Sequence, residues 1–206
     1  MANSIGPQYQ PDDHFKAAAR LHQSAYRAKV LKVGFDQYGN RLTESAGRAL
    51  LNYYDGLGVR DALRQRYPTY SRSRDSDMLR SEHIPFNLFA PLIDRPDLAN
   101  GLLYRILGVE LFPPYQIELE WAPKPAEKYL GDRTSFDTYI KGTDDHGQVV
   151  GVGIEVKYTE QGYRLGPSEA LRVRNLGSTY WTATRQSGVF TKDECKLLAR
   201  DDLRQI

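Results

Sequence analysis

Three residues in the second half of the chain can together do hydrolytic chemistry. Asp137 lies in the alternating run RTSFDTYIKG, and Glu155 and Lys157 stand two apart in VVGVGIEVKYTE. In an extended strand Val152, Ile154, Val156 and Tyr158 take one face, which puts Glu155 and Lys157 together on the other, roughly 6.5–7 Å apart at the Cα level. Two carboxylates converging from adjacent strands offer hard oxygen ligands for Mg²⁺, which takes few protein ligands and keeps several waters. A neighbouring ammonium can position an attacking water and help deprotonate it. The metal then stabilises charge on a phosphoryl oxygen and on the leaving group. The same trio is equally expected from cross-strand salt pairing on a wet sheet face. Gly151 and Gly153 favour the site, because glycine weakens a strand interior yet admits a ligand or another backbone closely.

These residues need strands to hold them, and the pattern supplies three. After Pro113-Pro114 the period turns from helical to alternating, and in YQIELEWA the side chains of Ile117, Leu119 and Trp121 oppose Glu118 and Glu120. Phe136, Thr138 and Ile140 oppose Ser135, Asp137 and Tyr139; DDHGQ is a turn, and a third strand runs on through Glu155 and Lys157. Short connections imply an antiparallel meander. Upstream, residues 12–108 read as a helical lobe. Pro11-Asp12-Asp13 starts a helix in which Phe15, Ala18, Leu21, Ala25 and Ala28 form a buried stripe, while Lys16, Arg20, Gln23 and Arg27 form a basic ridge. That ridge reads either as a solvated face or as a track for phosphates. Short helices follow over TESAGRALLNYYDGLG and GVRDALRQRYP, then a more apolar one capped by Ser81, and another from Asp94 to Gly108. Residues 161–190 lack a regular period and read as an irregular excursion. Thr191 and Glu194 make a capping box for a last helix.

Composition narrows the class. The 206 residues include one cysteine, which excludes a disulfide framework or a multi-cysteine metal site, and no apolar run reaches membrane-spanning length. A soluble cytoplasmic protein without a membrane partner is expected. The formal net charge of +2 does not itself announce a nucleic-acid binder, but the charges are segregated. Residues 58–80 hold six arginines against three aspartates, and residues 110–127 hold four glutamates against one lysine. His14, His22, His83 and His146 lack paired metal spacing, and no phosphate-binding glycine loop occurs.

The ordered segments LRSEHIPFNLFAPL, IELEWAP, RTSFDTYI and IEVKYTE, over roughly residues 79–160, resemble those of the PD-(D/E)XK nuclease superfamily, within it a bacterial restriction-endonuclease-like group. The resemblance implies an α/β (α+β) fold: a helical N-terminal lobe packed on a mostly antiparallel three-stranded sheet, closed by a C-terminal helix. Length and composition suit a single domain over residues 1–206, with residues 115–206 forming the sheet, irregular loop and final helix. By the resemblance, Asp137 and Glu155 would bind Mg²⁺ or Mn²⁺, helped by the Val156 carbonyl, and Lys157 would act on the attacking water. Glu82 would supply the acidic residue of the first core helix, although a carboxylate at a helix N-terminus is equally expected as a dipole partner. Glu120 could join from the first strand or be solvated there; Glu160 falls off the Glu155/Lys157 face and reads as structural.

The implied activity is endonucleolytic hydrolysis of DNA, with restriction of foreign DNA as its role. The alternative is an inactive nucleic-acid-binding or interaction module of the same fold. Arg164, Arg172, Arg174 and Arg185, interleaved with Tyr163, Tyr180 and Trp181, suit phosphate and base contact, as do Arg20 and Arg27 on the ridge. The oligomeric state is open, a homodimer included. The final helix meets no stop signal before Ile206, so the chain is expected to end one strand short of the superfamily core.

Overall fold

The computed structural model describes residues 4–108, 110–131, 134–160 and 166–190. Helix α1 (His14–Tyr26) starts where the acidic pair places it: the Asp13 carboxylate accepts a hydrogen bond from the Lys16 backbone N–H at 2.8 Å. A π-helical turn, Arg27–Leu31, follows and closes at Lys32 in the left-handed region. Strands β1 (Phe35–Asp36) and β2 (Tyr38–Leu42) then pair antiparallel. They are too short to show alternation in the sequence. Helices α2 (Glu44–Arg48), α3 (Val59–Arg66) and α4 (Arg72–Ser76) come next, with Thr43 and Ser71 capping the first and last. The expected apolar helix begins instead as a 3-10 turn, Ser81–His83, and continues as α5 (Ile84–Phe89) with Pro85 in its first turn. Helix α6 (Pro96–Leu107) starts at its proline rather than at Asp94, and Gly108 ends it in the left-handed conformation.

The inward face of α1 differs from the expected one over most of its length. Phe15, Ala18 and Leu21 are exposed and Ala19, Arg20 and Ser24 are buried, while in the following turn Arg27 is buried along with Ala28, which alone of the expected stripe is fully buried. Arg20 pairs with Asp12 at 2.5 Å and donates to the Asn40 side chain. Arg27, fully buried, donates to the backbone carbonyls of Gly39, Val33, Ser4 and Ile5, and burial lowers its pKa. These carbonyls need a donor of this reach, so the two arginines turn inward and take the hairpin with them. They do not form a ridge available to phosphates.

Strands β3 (Phe112–Trp121), β4 (Phe136–Thr143) and β5 (Val149–Ile154) form the expected antiparallel meander, in the order β3-β4-β5. In the turn before β5, Asp144 Oδ1 accepts from the His146 and Gln148 N–H groups while Gly147 takes a positive φ. On the inner face Ile140, with Leu103 of α6 and Leu111, forms a buried cluster joined by Ile117, Val150, Val152 and Ile154. Burying such a side chain contributes about 1.5–3 kcal/mol. A second cluster of Tyr53, Val59, Leu63, Phe86 and Ala90 takes up Leu119, which ties α3 and α5 to the sheet.

Two side chains depart from the expected alternation. Trp121 stacks on Tyr139 with centroids 4.1 Å apart, and Phe136 lies nearly parallel to both. The Tyr139 hydroxyl occupies the space where a Cβ on Gly151 would stand, and the Phe136 ring lies 2.7 Å from where one on Gly153 would stand. The glycines therefore make room for aromatic rings of the neighbouring strand.

The chain divides into two compact units, residues 1–121 with 136–159 and residues 122–135 with 160–206. Helical lobe and sheet thus fall within the first unit. In the second, the expected irregular excursion contains two helices, α7 (Pro167–Arg174) and α8 (Thr179–Ser187). Gly166-Pro167 is a helix start and Gly188 a left-handed stop, signals that the sparse apolar period concealed. Trp181 is buried and its indole N–H donates to the Val173 carbonyl at 2.6 Å, linking the two helices. The expected final helix lies outside the described residues.

Candidate active site

The strand register assembles the acidic residues. Leu119 pairs with Thr138 and Trp121 with Phe136, so Glu120 falls opposite Asp137; Thr138 pairs with Ile154, so the next position on the third strand's path, Glu155, falls on the other side of Asp137. Glu120 and Asp137 are thus cross-strand neighbours, about 4.8 Å apart at the usual strand spacing, and Glu155 directly follows the last paired residue of β5 on the other side of Asp137.

Regular pairing ends at Ile154, earlier than expected, and Asp137 takes over. Its Oδ2 accepts from the Val156 backbone N–H at 2.6 Å, replacing a ladder bond with a side-chain bond. Glu155 and Lys157 remain exposed and form an ion pair with each other. Two residues on, the buried Thr159 hydroxyl donates to the Leu79 carbonyl at 3.0 Å. This fixes the Glu155–Lys157 segment to the stretch leading into the Ser81–His83 turn, where Glu82 pairs with Arg80 at 2.7 Å.

Glu120 feels the charges of Asp137 and Glu82. Burial raises the pKa of Glu120 above the ordinary carboxylate range. The nearby Tyr67 hydroxyl opposes the rise, the charge of Asp137 adds to it, Arg66 opposes it, and Glu82 adds again. Tyr67 is pushed up to about 12, first by burial and then by the charge of Glu120. Glu120 also carries a φ of +54°, in the left-handed region, which turns Trp121 away from its expected face.

Sequence reasoning missed Tyr67 and Arg66 as site residues. Arg66 is exposed, and its guanidinium donates to the Glu120 carbonyl at 3.5 Å. The only signal was the arginine-rich run itself. Arg172, Arg174 and Arg185 are exposed on α7 and α8 of the second unit, Arg164 lies outside the described residues, and Glu160 is exposed. Among the described residues no three acidic, histidine or cysteine side chains already stand in a metal-holding group. Asp137, Glu155 and Glu82 each lean instead on a protein donor. The donor set still suits a hard divalent cation, because burial, with smaller contributions from the charges of Asp137 and Glu82, disfavours ionisation of Glu120, and a bound cation would favour it.

A sequence model of the PD-(D/E)XK nuclease superfamily matches residues 10–206. The chain belongs to this superfamily. No curated protein and no solved structure matches it. Membership accounts for the mixed α/β architecture around a three-stranded antiparallel sheet and makes the protein a nuclease in general terms. Nucleases of this superfamily typically use divalent metals and act on nucleic acid. No helix among the described residues is long and apolar enough to cross a membrane.

Proposed function

We propose that the protein is a metal-dependent endonuclease that hydrolyses DNA phosphodiester bonds, with restriction of foreign DNA as its role. The supporting observation is the register that sets Asp137 between Glu120 and Glu155, with Lys157 two residues further on. Asp137 and Glu155 would hold Mg²⁺ or Mn²⁺, with Glu120 and Glu82 as further carboxylates, and the bound metal supplies Lewis-acid stabilisation of charge on the phosphoryl oxygens. Asp137 also orients the chain that follows β5, through its bond to the Val156 N–H. Lys157, released from its ion pair when Glu155 holds the metal, would position the attacking water and assist its deprotonation. Arg172, Arg174 and Arg185 contact DNA phosphates.

A second reading is a nucleic-acid-binding module without activity. It is favoured by the ion pair of Lys157 with Glu155 and by the protein donors that already occupy the other carboxylates. Plasmid cleavage with Mg²⁺ or Mn²⁺ separates the two. The nuclease reading expects cleavage by the wild type, and loss of cleavage with DNA binding retained in Asp137→Ala and Lys157→Ala. A folded wild type that binds DNA but cuts no DNA or RNA form establishes the module instead.

A further inference from the structure

We propose that Gln23 of α1 is a positioning residue for Lys157, acting through the Tyr158 hydroxyl. The inference rests on the nuclease reading above and adds a residue remote in sequence from the strands that carry the motif. Regular pairing of β5 ends at Ile154, so side-chain bonds hold the chain that carries Lys157. Three of them run to three different parts of the fold. Asp137 of β4 accepts from the Val156 N–H at 2.6 Å, the Gln23 amide donates to the Tyr158 hydroxyl at 3.2 Å, and the Thr159 hydroxyl donates to the Leu79 carbonyl at 3.0 Å. The last two bonds fix the two residues that directly follow Lys157.

Gln23 suits this task because its own helix is clamped. Its neighbours Arg20, Ser24 and Arg27 are buried, Arg20 bonded to Asp12 and Asn40 and Arg27 to the Gly39 carbonyl. Phe15, about two turns earlier on α1, meets the Tyr158 ring edge to face with centroids 6.4 Å apart, so α1 holds the ring as well as its hydroxyl. Alternation persists past the end of β5: Val156 and Tyr158 are half-buried, while Glu155 and Lys157 are exposed. Successive side chains of extended backbone point to opposite sides, so a Tyr158 held against α1 directs Lys157 to the side on which Glu155 lies. The ammonium, paired with Glu155, can then turn to the attacking water by side-chain rotation alone, on a backbone that stays in place.

The test uses the full-length chain. Amide hydrogen exchange is followed by mass spectrometry in chelator, and plasmid cleavage with Mg²⁺ is measured at saturating DNA, alongside DNA affinity and thermal unfolding. Gln23→Met keeps the reach of the side chain without its amide, and Tyr158→Phe keeps the ring against Phe15. Each should speed exchange of the amides at 156–159 by about 2- to 10-fold, as loss of one hydrogen bond does, and leave those of β4 and β5 unchanged. Each should slow cleavage by about 10- to 100-fold, as misplacement of a catalytic group does, with DNA affinity and unfolding temperature close to wild type. The double variant should be no slower than the slower single variant, because both remove the same bond. Gln23→Glu, whose carboxylate accepts from the Tyr158 hydroxyl, should recover most of the lost rate. Wild-type exchange or wild-type cleavage in Gln23→Met overturns the proposal, as does a double variant whose loss is the product of the single losses. A cleaving wild type beside an unaffected Gln23→Met removes Gln23 alone; a wild type that cuts no DNA overturns the nuclease reading and the role of Gln23 with it.

Discussion

Replacing Arg27 by alanine separates a structural cation from a DNA-binding one. The buried guanidinium donates to four backbone carbonyls, those of Gly39 at 2.7 Å, Ile5 at 3.3 Å, and Val33 and Ser4. A hydrogen bond involving a charged group contributes about 1.5–3 kcal/mol net, and desolvation of the cation, visible in its lowered pKa, offsets part of the total. Counting only two of the four bonds as net gain gives a loss of about 3–6 kcal/mol. For a chain of this length that shifts the unfolding temperature down by about 6–24 °C. The assay is thermal unfolding by circular dichroism, paired with DNA affinity measured against salt below the unfolding temperature. A contact to one phosphate would lower the log–log salt slope by about 0.9, and the buried position predicts no change in slope. An unfolding temperature within about 2 °C of wild type, together with a reduced slope, would refute this account of α1.

Other outcomes follow from the sheet and its charges. Because Glu120 has a raised folded-state pKa, stability attributable to it falls as pH rises from the ordinary carboxylate range through the raised value. In metal-free buffer Glu120→Gln should therefore be more stable than wild type at neutral pH, with the difference closing in acid; denaturant titrations at several pH values check this, and a gap independent of pH would contradict it. Gly153→Ala places a methyl group 2.7–2.9 Å from the Phe136 ring and should cost about 1–3 kcal/mol by chemical denaturation. In a Phe136→Ala background that cost should largely vanish; if it persists, the steric explanation is wrong. Replacing Arg172, Arg174 and Arg185 by alanine together should lower the salt slope of DNA binding by up to about 2.7, and an unchanged slope removes them from the interface.

The three strands were legible because one face of the sheet is apolar and alternation reports it. The register sets Glu120, already offered by the first strand, opposite Asp137, while Glu155 and Lys157 fall just beyond the last strand rather than on it. What the sequence hid were features set by tertiary contacts. An amphipathic reading put Arg20 and Arg27 outside because it weighs charge, yet buried backbone carbonyls and Asp12 recruit both inward. Alternation also fails at Glu120, where one left-handed residue turns Trp121 onto Tyr139. Arg66 gave only the weak signal of its arginine-rich run, since its bond to the Glu120 carbonyl depends on where the end of α3 meets β3. Helices α7 and α8 were missed because their apolar residues are few, although Gly166-Pro167 and Gly188 marked their limits.

The most direct measurement of the central claim is anomalous diffraction from crystals of the wild-type chain equilibrated with Mn²⁺. The account predicts a peak bridging the carboxylates of Asp137 and Glu155, with the Lys157 ammonium turned from its ion pair. A chain saturated with Mn²⁺ in which the Lys157–Glu155 pair and the Asp137–Val156 bond persist and the peak lies elsewhere would contradict it.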